Sequence, residues 1–251
     1  MSDAVMPARN HGAVLSGTAA DDNVSWAVGA FNNWIDSGES FSDTSNQLVG
    51  RVTWAPASFQ TASNLFHVGL GLRLSDIKQP VRARSEPEFN NAPNYVDTGL
   101  VNADNQTTYD LEAYWRNGPF MAGFEYIGTD VKAPQSGDPT LSGYHLTGSW
   151  ALTGEQRGYR KRSGSFDPLP VARPVNQGGW GTVELAFGYS DSDLTDGSLD
   201  GGKTDIYSLG VNWWLTRATH LSLNYRYINL DRFGTQGNSS GLNLRFLLML
   251  E

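Results

Sequence analysis

The sequence predicts an all-β fold, an antiparallel transmembrane β-barrel of which about eleven strands are present, and three observations lead there. Apolar and polar residues alternate with period two in stretch after stretch, while no window of 11 or more residues carries helical spacing between capping signals. The faces opposite the apolar ones are not a second core but a wet surface, with Asp110, Glu112, Arg116, Glu125, Glu184, Asn212, Asn224, Arg226 and Arg245. The connections alternate between tight turns and long polar segments, the arrangement of barrels that cross an outer membrane.

Taken in order, the strands are expected at 11–18, at 23–31 (Val24, Trp26, Val28 and Ala30 on the apolar face), at 46–55 (Leu48, Val52, Trp54) and at 64–75 (Phe66, Val68, Leu70, Leu72, Leu74). The next three are 107–116 (Tyr109, Leu111, Trp115), 119–128 (Phe120, Phe124, Tyr126) and 141–152 (Tyr144, Leu146, Trp150). The last four are 180–190 (Val183, Leu185, Phe187, Tyr189), 204–215 (Tyr207, Leu209, Val211, Trp213), 218–228 (Leu221, Leu223, Tyr225, Tyr227) and 239–250 (Leu242, Leu244, Phe246, Leu248, Leu250). Tilted strands of about ten residues are long enough to cross a hydrocarbon layer, and aromatic residues near their ends suit the interfaces.

The short connections are "AADD" (19–22), "RNGP" (116–119) and "TRAT" (216–219), with a moderate "PASFQTAS" (56–63) on the same side. The longer ones, 32–45, 76–106, 129–140, 191–203 and 229–238, are rich in Asp, Asn, Gly and Ser and fall on the other side. The exception is the basic, proline-bearing segment 153–179, which parity places with the short turns; its densest basic run, "GYRKRSG" (158–164), reads as a solvated turn or a plug contact, with a substrate site as the alternative. Eleven strands is an odd number where single-chain bacterial barrels have even ones, so N-terminal strands are expected to be missing.

Composition excludes several classes. Acids outnumber bases 26 to 18, which argues against nucleic-acid binding. The bases comprise 14 Arg and 4 Lys, a choice that favours fixed multidentate anion contacts. Without cysteine there is no disulfide framework, thiol nucleophile or Cys-ligated zinc, and no run approaches the roughly 18 apolar residues of a membrane helix. The opening "MSDAVMPARNHG" has neither a basic nor an apolar leader region, so a mature form, a fragment or a cytosolic product is expected.

Several stretches, in shared order, resemble the phosphate-selective porin O and P family of Gram-negative outer membranes. They are "MPARNHGAVLSG", "VSWAVGAFNN", "RARSEPEFNNAPNYVDTG", "LEAYWRNGPFMAGFEY", "GYHLTGSWALTGEQRGYRKRSGSFDP", "GGWGTVELAFGYSDSDL" and "LGVNWWLTRATHLSLNYRYINLD". The resemblance implies a barrel of about 16 strands, usually trimeric, conducting solutes generally or anions selectively. This chain would correspond to roughly the last eleven, residues 1–251 forming one barrel domain in the outer membrane. The ending "LRFLLMLE" departs from the aromatic residue on which the family tends to end.

The candidate anion-handling residues centre on "LRLSDIKQPVRARSEPEF". Arg82 and Arg84 are two apart and point to one side of an extended segment, Arg73 extends the wet face of the preceding strand, and Lys78 sits in the turn. A row of guanidinium groups inside a pore attracts anions and passes them on by exchanging bidentate contacts, and the family's arginine ladder resembles this segment in place and type. The alternative is neutralisation by Asp76, Glu86 and Glu88 as surface pairs worth about 0–1 kcal/mol each. Arg51, Arg226 and Arg245 either add to the same field or pair with Glu112, Glu125 and Glu184 across the wall.

Other motifs point to no chemistry. Asp191, Asp193 and Asp196 are too unevenly spaced for a calcium loop, and "GNSSG" (237–241) lacks the strand-to-helix context of a nucleophile elbow. The four histidines are scattered with no ligand spacing, so neither metal nor cofactor is expected. The expected function is passive diffusion of small anionic solutes, phosphate among them, with outer-membrane lipid and a homotrimer as partners by resemblance. A barrel enzyme and a soluble β-sandwich binding protein are the rivals.

Overall fold

The computed structural model describes Ala4 and residues 10–33, 44–89 and 92–249. Its strands are β1 (His11–Ala19), β2 (Val24–Asn32), β3 (Asn46–Trp54), β4 (Asn64–Asp76), β5 (Arg84–Ser85), β6 (Val96–Asp97), β7 (Asn105–Asn117) and β8 (Phe120–Lys132). They continue with β9 (Thr140–Ala151), β10 (Tyr159–Arg160), β11 (Ser165–Phe166), β12 (Thr182–Asp196), β13 (Leu199–Trp214), β14 (Thr219–Arg232) and β15 (Thr235–Leu248). Eleven of them form one antiparallel sheet in the order β1-β2-β3-β4-β7-β8-β9-β12-β13-β14-β15, and the short pairs β5-β6 and β10-β11 lie in the two long connections. All eleven expected strands are present in this up-and-down order. Among the described residues β1 and β15 end the row without pairing to each other, so the sheet is open.

The sheet is inside out by the standard of a soluble protein. Its apolar face is exposed, with Leu70 at 55 %, Leu209 at 58 % and Phe187 at 47 %, whereas the opposite face buries Glu112, Glu184, Arg73, Arg116 and His67. Period two makes this possible, because each strand sends alternate side chains to opposite faces and the antiparallel register aligns like faces across neighbours. Aromatic residues line up at two heights on the exposed face. One belt includes Tyr126, Tyr144, Tyr189 and Tyr207, with the last two rings 4.8 Å apart, and the other includes Phe120 stacked on Trp150 at 5.4 Å. Amphipathic rings at the two edges of an apolar band are what a lipid layer selects.

Two connections expected to be long loops are tight turns on lengthened strands. β12 and β13 continue through 191–203 to a turn at Gly197 and Ser198, with a register shift between Asp193 and Thr195. β14 and β15 close through Phe233 and Gly234, both at positive φ (53° and 68°), as a two-residue hairpin turn requires. Beyond the apolar band the outer face carries no apolar row and the inner face packs locally, as Leu194 does, so alternation disappears from the sequence while the ladder continues in the register already set. The motif "GNSSG", expected with a loop before it and a strand after it, lies wholly inside β15. Of the expected 32–45 connection, residues 34–43 lie outside the described residues, as does Leu250.

Candidate functional site

Two long connections fold back over the polar face, one from each end of the strands. The described residues between β4 and β7, 77–89 and 92–104, form a compact inner layer, pinned to itself by the β5-β6 pair and the Val81↔Val101 bridge. Its apolar residues give it a footing: Val96 packs with Leu141 and Leu194, and Val101 with Val131 and Ala133, all buried. Each fully buried aliphatic side chain is worth about 1.5–3 kcal/mol, so these contacts set the layer's position more firmly than its surface charges do.

Its polar residues complete the attachment. Arg232 of β14 donates to the carbonyls of Asp97 (2.8 Å) and Tyr95 (3.3 Å), and the Tyr95 hydroxyl lies 3.1 Å from Ser239 Oγ. Glu88 meets the wall across three strands, accepting from Ser190 Oγ (2.8 Å), Ser208 Oγ (3.2 Å) and Arg226 Nε (3.0 Å). The neighbouring Phe89 ring lies 5.0 Å from the Arg226 guanidinium. Burial opposes ionisation of Glu88, but the hydrogen bonds from Arg226, Ser190 and Ser208 outweigh it and hold its carboxyl below the usual range. A polar chamber of about 120 Å³ opens beside it, lined by Ser85, Glu86, Glu125, His145, Ser192 and Thr204 among others.

From the other end comes the basic connection 152–181. Arg51 of β3 grips it, Nη1 and Nη2 each donating over 3.0 Å to the carbonyls of Ser163 and Gly164, while Nε donates to Glu112 at 2.8 Å. Arg116 donates to the Arg157 carbonyl (2.7 Å), Arg157 pairs with the buried Glu184 (2.7 Å), and Tyr159 shares a 2.7 Å hydrogen bond with His67 Nδ1. Phe166 completes an aromatic cluster with His67, Tyr114 and Tyr159. Gly164 is required at the tip, since it has φ +56° and a Cβ there would fall 2.1 Å from Thr53 Oγ1. The run 158–164, expected as a solvated turn or a plug contact with a substrate site as the alternative, lies held against the inner face of the wall.

The sequence-predicted site residues do not converge on one row. Arg82 chelates Asp97 through Nε (2.8 Å) and Nη2 (2.5 Å), and that hydrogen-bonded pairing drops the Asp97 carboxyl to about 2. Arg84 is exposed on β5, on the same side of its segment as Arg82, and makes no ion pair among the described residues. Arg73 is buried on the inner face of β4 and donates to Thr108 Oγ1 at 3.1 Å; Lys78 lies 3.7 Å from Asp76. Arg51 pairs with Glu112, Arg226 with Glu88, and Arg245 is exposed on β15 opposite Ser222. Residues that sequence reasoning passed over, notably Asp97, Arg157, Arg232, Ser190 and Tyr159, act through contacts far apart in the chain and carry no local signal.

The family model described as phosphate-selective porin O and P matches residues 4–249. Porin O of Pseudomonas aeruginosa is 25% identical over 240 residues, covering 82% of this chain and 53% of that protein. An uncharacterized protein of Caulobacter vibrioides is 27% identical over 213 residues, covering 83% of this chain and 42% of that protein. The chain thus spans about half the length of the curated relatives it matches. With a family match over nearly its whole length, an antiparallel wall apolar outside and polar within, and two connections folded over the polar face, the chain belongs to the phosphate-selective porin O and P family.

Proposed function

We propose that residues 1–251 form one barrel domain of an outer-membrane porin through which small anionic solutes, phosphate among them, diffuse passively, and that no covalent chemistry takes place there. The observation that carries the reading is the inverted sheet, whose exposed apolar face suits lipid while its charged face is overlaid by the two inward connections. Such a wall satisfies its backbone within itself except along β1 and β15, the edges a spanning structure has to pair. Water-filled barrels discriminate through the charges on their narrowest parts. Outer-membrane lipid and a homotrimeric assembly are the partners this reading carries.

Anion preference rests on Arg73, Lys78, Arg82, Arg84, Arg51, Arg226 and Arg245. Of these, Arg84 and Arg245 are exposed, and Lys78 and Arg82 keep 46 % and 42 % of their side chains exposed, so these four are the most accessible to a passing solute. Arg82→Ala with Arg84→Ala should lower anion over cation permeability in planar-bilayer recordings, seen as a shifted reversal potential in a salt gradient. An unchanged reversal potential removes both from the selectivity filter. The soluble-sandwich alternative is separated by phase partition, since a monomer soluble without detergent would contradict the porin reading.

A further inference from the structure

We infer that Ser190, Ser208 and Arg226 form an oxyanion seat on the inner wall, and that Glu88 of the inward layer is its tethered, displaceable occupant. The ligand class is a small oxyanion, inorganic phosphate or a carboxylate. The inference rests on the porin reading for its role in permeation, not for its chemistry.

The seat is built across three neighbouring strands, within two residues of one cross-strand row. Ser208 pairs in register with Arg226 on one side and with Gly188 on the other, and Ser190 stands two residues along from Gly188 on β12. All three polar side chains therefore point to the inner face, and Gly188 adds no side chain between the two hydroxyls. Two hydroxyl donors and one guanidinium converge on a pair of oxygens at 2.8, 3.2 and 3.0 Å. Charge-assisted donors in that number are how proteins hold phosphate and carboxylate groups.

The occupant is supplied by the chain itself, and it is held awkwardly. Glu88 has φ +59°, a conformation L residues other than Asn and Asp rarely adopt, and its backbone N–H is turned to the Glu86 carbonyl at 2.8 Å. Such conformations persist where surrounding contacts over-determine them, and they cluster at ligand clamps and switch points. Release of the carboxylate relaxes that backbone, so Glu88 is poised to exchange with a free oxyanion. Its side chain remains 35 % exposed, which leaves a route for the competitor. Phe89, against the Arg226 guanidinium on one side and within 2.5 Å of where a Gly241 side chain would begin on the other, keeps the arginine aimed when Glu88 leaves.

The competition has a simple magnitude. If Glu88 fills the seat nine-tenths of the time, a free oxyanion sees only the remaining tenth, and its apparent Kd is about tenfold weaker than the seat's own. The test is isothermal titration of inorganic phosphate, and separately acetate, into the whole chain in detergent micelles. Glu88→Ala and Glu88→Gln should each tighten binding of at least one anion about tenfold or more, and adding Arg226→Ala to either should abolish the gain. Circular dichroism identifies which variants retain the native sheet, and either one suffices. No gain for either anion in a folded Glu88 variant, or a gain that survives Arg226→Ala, overturns the inference. Because the titration needs no current, loss of selectivity in bilayers and loss of the seat are separate results.

Discussion

Leu223→Arg tests the inverted wall most directly. Leu223 is 42 % exposed on the outer face of β14, opposite Val211 on β13 and Leu244 on β15, both exposed as well. Its row lies between the row of Trp213, Leu221 and Phe246 and the rows that carry Tyr225 and Tyr227. From Leu221 to Tyr227 the strand advances about 20 Å at roughly 3.4 Å per residue, which places Leu223 inside the apolar band. An arginine at the lipid midplane of a barrel costs about 2–4 kcal/mol, falling to about 0–1 near the interfaces. Two residues inward of the Trp213 row, about 2–3 kcal/mol is expected, roughly a 30- to 140-fold loss in folding equilibrium. The neighbouring Asn224 faces the polar side, and Asn224→Arg should cost within about 0.5 kcal/mol. The assay is urea titration of the protein refolded into phosphatidylcholine vesicles, following tryptophan fluorescence. Equal costs at the two positions, or the reverse order, would refute the assignment of faces.

Other outcomes follow from the two inward connections. Arg157→Ala leaves Glu184, whose side chain is 3 % exposed, without its ion partner, and should destabilise the fold by about 3–5 kcal/mol in the same titration. Arg51→Ala frees the Ser163 and Gly164 carbonyls, so trypsin should cut after Arg160, Lys161 or Arg162 faster than in the parent; an unchanged rate would mean that Arg51 does not hold the segment. Gly164→Ala, strained at φ +56° and meeting Thr53, should loosen the segment at a cost of about 1–3 kcal/mol and speed the same cleavage. Asp97 has a depressed carboxyl, so its pairing with Arg82 stabilises the inner layer fully above the usual carboxylate range of about 3.9 and is lost as pH falls through about 2. Channel noise should accordingly rise between those pH values, and Asp97→Asn should show it already at neutral pH.

The strand count, the order of the strands and the identity of the outward face were legible in the sequence, because period-two alternation is a local property that survives without knowledge of the fold. Tyr207, Leu209, Val211 and Trp213 announce one face of β13, and "TRAT" marks the turn to β14, with no reference to anything distant. Strand ends were less legible: in Asp191 to Gly202 the outer face carries no apolar row and the inner face packs on the inward layer through the single buried Leu194, so the sequence reads as loop where the backbone ladder continues. What only the tertiary structure decided is where the charges go. Glu88 meets Arg226 across 138 residues and Arg51 meets Gly164 across 113, and those meetings depend on how two connections fold inward over an eleven-stranded sheet. A side chain's face is set by its own strand, whereas its partner is set by the packing of every strand between.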